Sequence, residues 1–209
     1  MAGVNLTPAT RRCPLIVARP GHPDQLTQGD SVTQGEADEL YKVVGSDPQR
    51  WVEKSQGLLY CARVLIDQLA SIWQFPSHSR TLETLGLFDS ILLLLGFALE
   101  NLIKGVYISN NPGIVNDGKL DRSEWKYEGG HGILKYAGKL LKLEPDEVDL
   151  LVRLQEYIVW AGRYPIPTKS SRYHESKSAG RNVLYPKEDF EVAERLFNKL
   201  LDKRSLPNP

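Results

Sequence analysis

The residues in this 209-residue chain that could do chemistry stand mostly at the ends of apolar segments. Glu100 and Lys104 lie one helical turn apart, acid first, which is the favourable order for an ion pair on a helix. His131 follows Gly129-Gly130 at an expected helix start, and Arg163-Tyr164 closes a later helix. Beyond them, residues 165–185 hold Lys169, Arg172, His174, Lys177 and Arg181, with Glu175 the one acid. Lysine and arginine at such positions offer point and fork donors to phosphate. Arg163 could stabilise charge on a phosphate, while His131 or His174 moves a proton.

Each of these residues also has a plainer reading. Glu100 and Arg163 could form a satisfied buried ion pair. His131 could simply cap its helix, and the basic stretch could be a solvated face. Tyr157 and Trp160 could be core packing rather than a stacking platform.

Several chemistries lack their signature. There is no phosphate-cradling glycine loop with its lysine, no HExxH and no CxxC. The four histidines, His22, His78, His131 and His174, are scattered, and no ExxH pair sits on an expected helix as in di-iron bundles. Neither a metal nor a cofactor is expected. Twenty-six basic and twenty-six acidic residues cancel, so a nucleic-acid site would have to be a local patch.

The elements that must position these residues are helices. In Leu85 to Ile108, Phe88, Ile91, Leu92, Leu95, Leu99, Leu102, Ile103 and Val106 recur at three- and four-residue steps. A second stripe of Leu93, Phe97, Glu100 and Lys104 runs on nearly the opposite side, so the helix should be enclosed by partners. Its unbroken apolar run, Ile91 to Leu99, is nine residues, well short of the roughly 20 that a membrane span needs. A core helix is expected, with no membrane.

Ser46-Asp47-Pro48 reads as a helix start running to about Trp73. Pro76 stops it, and the core helix then returns as an antiparallel partner. Further helices are expected from about His131 to Leu141, from Glu144-Pro145 to Ala161, and after Tyr185-Pro186. GEADELYKVV (35–44) suits a short helix, 110–130 a loop carrying Trp125 and Tyr127, and 165–185 a long polar loop. The fold class expected is all-α, an antiparallel bundle of about five helices over 35–205. Residues 1–34, rich in Pro, Gly, Thr and Gln, read as a flexible N-terminal extension. Cys13 and Cys61 do not form a disulfide framework and no secretory apolar segment opens the chain, so a cytoplasmic protein is expected.

ALENLIKG (98–105), GHGILKYAGKLL (130–141) and LQEYIVWAGRYP (154–165), in that order, resemble the HEPN superfamily of small helical bundles. The likeness covers roughly 48–204. It implies a homodimer that binds RNA or a nucleotide, often in prokaryotic defence or toxin–antitoxin modules with a co-encoded protein partner. Many such proteins are metal-independent ribonucleases with a histidine four to six residues after an arginine. Here that spacing is absent, because the histidine after Arg163 is His174. The resemblance therefore implies a non-catalytic branch, with Glu100, Lys104, His131 and Arg163 as its polar cluster. The expected contacts to RNA or nucleotide are these four with Tyr164, Lys169, Arg172 and His174. The alternatives are a divergent ribonuclease using Arg163, His131 and His174, and a helical protein–protein interaction module.

Overall fold

The computed structural model describes residues 33–74, 81–111, 113–116, 119–121, 125–180 and 183–204. The extension expected over 1–34 lies outside these residues except for Thr33 and Gln34, as do Pro76, His78 and Arg181. Seven α-helices are described: α1 (Gln34–Ser46), α2 (Pro48–Trp73), α3 (Leu82–Asn110), α4 (Ile133–Leu140), α5 (Pro145–Glu156), α6 (Ser170–Ser178) and α7 (Pro186–Leu201). The all-α expectation holds. Two-residue strands β1 (Val115–Asn116) and β2 (Lys119–Leu120) pair antiparallel, and Tyr127–Gly130 forms a 3-10 turn.

Local chemistry fixes the helix starts. Asp47 accepts a hydrogen bond from the Gln49 backbone N–H at 2.9 Å, and Pro48 takes the first helical position. Thr81 caps α3 by accepting from the Thr84 N–H, and Thr33 and Glu36 form a reciprocal capping box on α1.

Helix α3 is the core. By length and composition it could cross a membrane; here its residues from Ile91 onward are largely enclosed by α2, α4, α5 and α7. Leu82 and Leu85, before that stretch, stay exposed. Helix α2 lies along α3 and turns Ser55, Ala62 and Leu69, at seven-residue steps, into the contact. Small residues let backbones close up on both sides of α3. A Cβ at Gly105 would stand 2.9 Å from the Trp51 Cβ, and one at Gly96 would stand 2.4 Å from Ile158 Cγ2.

Buried ion pairs tie α5 to α7. Arg153 grips Asp189 with both terminal nitrogens at 2.6 and 2.7 Å. Glu147, fully buried, accepts from Lys199 at 2.7 Å and Arg195 at 3.2 Å. Desolvation pushes the Glu147 carboxyl up, but a backbone N–H and the two cations outweigh it and hold it below the ordinary value.

Where described, 111–130 is the irregular segment expected, broken by the strand pair and the 3-10 turn, and its Trp125 is buried, edge-on to Tyr107 at 4.9 Å and Tyr136 at 5.4 Å between ring centroids. One expectation is corrected. The 165–185 segment is not continuous loop, because α6 occupies 170–178. That helix lacks an apolar face; tertiary contacts of Arg172, Tyr173 and Ser176 hold it instead.

Gly96→Ala should destabilise the protein, since about 1–3 kcal/mol of overpacking against Ile158 exceeds the gain of about 1 kcal/mol in helix propensity. Gly86→Ala, in the same helix with nothing near its Cβ, should stabilise it. Urea unfolding of both variants checks this, and a more stable Gly96→Ala would refute the close contact.

Candidate functional site

The first polar cluster sits on α3. The apolar helix carries Glu100 into the core, where the residue is 6% exposed. Lys104, one turn on, donates to Glu100 Oε1, and His131 Nδ1 lies 2.8 Å from Oε2. Each carboxylate oxygen thus has its own partner. Burial pushes the Glu100 carboxyl up; the hydrogen bond to His131 and the Lys104 charge more than offset it, so the group lies below its ordinary value. The expected Glu100–Lys104 pair forms, while the alternative pairing of Glu100 with Arg163 does not. His131, just before α4, is fixed through Nδ1, which leaves Nε2 for other contacts.

The second cluster is built by an irregularity. At its end α5 widens into a π turn, Tyr157–Ala161, closed by the Gly162 N–H donating to the Tyr157 carbonyl at 3.1 Å. Such turns insert one residue into a helix and recur at functional sites. Gly162 seats this one against Leu93 of α3, where a Cβ would stand 3.0 Å from Leu93 Cδ1. Trp160 donates its indole N–H to the Glu156 carboxylate, and its ring lies 6.2 Å from that of Tyr173 on α6.

Two adjoining cavities of about 460 and 430 Å³ open beside this turn and share Trp160, Tyr164 and Pro165. Both volumes suit a small organic ligand. The larger adds Asp89, Tyr157, Tyr173 and Lys177; the smaller adds Ile166, Thr168 and Arg172. Tyr164 is 57% exposed and Tyr173 is 40% exposed, so both offer ring surface to a ligand. Burial raises the Asp89 carboxyl above its ordinary value against the pull of the Tyr157 hydroxyl. Burial, with the Asp89 charge, likewise raises the Tyr157 hydroxyl.

The structure sorts the expected site residues into groups. Glu100, Lys104 and His131 come together. Arg172 pairs with Glu128 at 2.9 Å and faces Glu156 at 3.7 Å, which makes it a tie between elements before it is a phosphate ligand. Burial pulls its guanidinium down, and the two carboxylates raise it further, so it stays charged. Glu128 stands in the turn that leads to His131, with a left-handed φ of 50°; through it α6 is joined to the first cluster. Arg163 is exposed, donates to the Val159 carbonyl and lies 5.5 Å from the Tyr164 ring centroid. Lys169 and His174 are exposed on α6 or its first flank. Among the described residues no hydrogen bond joins Arg163 to His131 or His174. No group of three or more metal-ligating side chains stands together among them either.

Asp89, Tyr173 and Glu156 escaped the sequence reading. Asp89 carries a signal in the sequence, as an acid two residues before the apolar run Ile91 to Leu99. Tyr157 and Trp160, both buried, do pack the core, and they line the cavity as well. No protein-family model matches the chain, and neither a curated protein nor a solved structure matches it significantly.

The first cluster predicts an acid-dependent stability. Glu100 lies lower folded than unfolded, so its contribution is complete above the ordinary value of 4.5 and is lost as pH falls through the folded value. Glu100→Gln should cost about 3–5 kcal/mol at neutral pH by leaving the Lys104 charge without its buried partner. It should also flatten the decline in stability below pH 4.5. Urea titrations of both proteins between neutral and acid pH measure the difference; an unchanged acid slope would show that Glu100 does not govern it.

Proposed function

We propose that the protein binds nucleotides, free or within single-stranded RNA, in the cleft between the π turn and α6, and does not cleave them. The observation that carries this reading is the combination of two exposed aromatic rings with an exposed lysine around one cavity. Tyr164 and Tyr173 can stack bases, which is worth about 1–3 kcal/mol per base and tolerates any base. Lys177, whose ammonium lies 5.6 Å from the Tyr173 ring, stands where a phosphate attached to such a base would pass. Arg163 and Lys169 flank the 164–168 segment in the chain and are exposed.

The HEPN-like order of the three motifs supports the same reading, since it joins a helical bundle to RNA or nucleotide binding in a branch without the nuclease spacing. Binding without cleavage suits the engagement of two of the three candidate catalytic residues and the remoteness of these from hydrogen-bond contact with each other. His131 is held by Glu100, Arg163 by the Val159 carbonyl, and His174 rides on the exposed α6.

Fluorescence anisotropy with a labelled single-stranded RNA in EDTA tests the proposal. Affinity should fall steeply with added salt, as phosphate contacts require. Tyr164→Ala should weaken binding roughly 5- to 150-fold, the equivalent of one stacked base. The RNA should remain intact. Binding indifferent to salt and to Tyr164→Ala would overturn the reading, and cleavage abolished by Arg163→Ala would establish a ribonuclease in its place.

A further inference from the structure

The larger cavity has walls of one kind and a polar inventory of another. Its rings, Tyr157, Trp160, Tyr164 and Tyr173, recognise flat surfaces without regard to sequence. Its two charged side chains are Asp89 and Lys177. Asp89 stands near the N-terminal end of α3, one turn after Leu85, and lines the cavity together with Tyr173 and Lys177 of α6. A single carboxylate facing an aromatic slot, with a cation at another edge, selects a ligand that carries hydrogen-bond donors at one end and negative charge at the other.

We propose that Asp89 makes this cleft selective for guanine, by accepting the two adjacent N–H groups of the guanine Watson–Crick edge while Lys177 meets the attached phosphate. The inference rests on the nucleotide-binding reading above and specifies its ligand. The reasoning is one of donor and acceptor pattern. An ionised carboxylate is acceptor only, with two oxygens side by side. Guanine presents N1–H and its exocyclic amino group side by side, a matching pair of donors. Adenine and cytosine each place a ring-nitrogen lone pair beside their amino group, which a carboxylate repels. Uracil offers one N–H between two carbonyls. Discrimination of this kind comes as much from repulsion of the wrong base as from attraction to the right one. An ammonium ligand, the other chemistry that aromatic walls and a carboxylate serve, is disfavoured by Lys177 in the same lining.

The full chain can be tested by anisotropy against oligouridine strands of equal length that differ at one central position, carrying G, A, C or U. The G strand should bind about tenfold more tightly than the others, within the range for a good two-point base contact. Asp89→Asn should erase that preference, weakening the G strand and relieving the repulsion of the A and C strands. Because Asp89 is exposed, the variant should keep the far-ultraviolet circular dichroism of the parent. Lys177→Ala should weaken all four strands alike and preserve their ranking. Equal binding of the four strands by the parent protein would overturn guanine selectivity and leave nucleotide binding standing, as would a G preference that survives Asp89→Asn. Failure to bind any strand would overturn both.

Discussion

A helix that is apolar on almost every side has to be enclosed, and most of this architecture follows from enclosing α3. Four helices close on it, with α2 running alongside and α4, α5 and α7 covering the remainder. Approach that close needs small residues at the crossings, hence Gly96, Gly105, Ser55 and Ala62. Enclosure also raises the cost of any charge on the helix. Glu100 is tolerated at 6% exposure because Lys104 and His131 each engage one of its oxygens. That demand in turn fixes where the turn before α4 lies, since His131 must reach the carboxylate.

The second consequence is an asymmetry along α3. From Ile91 onward the helix is packed; before it, Leu82, Leu85 and Asp89 look outward. The cleft lies at this free end, where α5 gives up regular geometry and the chain turns through Gly162 towards α6. A rigid core and an irregular rim are thus supplied by the same pair of helices. Sites held by packed elements and lined by loop side chains are the common arrangement for ligand recognition.

Much of the helical frame was legible because it obeys local rules. Pro48 after Asp47, and the Pro145 start with its early acids, are capping chemistry written in adjacent residues. The α3 face could be read from periodicity alone. What escaped was whatever depends on residues distant in sequence. Helix α6 has no apolar period; Arg172 reaches Glu128, 44 residues away in sequence, and such a tie leaves no pattern near either residue. Trp125 sits between turn-forming residues and looked like a loop aromatic, yet Tyr107 and Tyr136 draw it into the core. The Glu100–Lys104 pair was legible from its one-turn spacing, but the second partner, His131, was not. Arg163 and His131 are both distant from Glu100 in the chain, and only the fold decides which one arrives.

The π turn has a bearing on how this chain can be compared with others. A π turn adds one residue to a helix in which each residue advances about 100° around the axis. Everything after Ala161, including Arg163 and Tyr164, is therefore displaced by one position from the register that Leu150, Leu151 and Leu154 set. An alignment that carries uninterrupted α-helical periodicity through Tyr157 will pair the cleft residues with the wrong neighbours in any chain that lacks the extra residue. For this segment, kinship is better judged by superposing backbones from Gly162 onward than by counting residues along the chain.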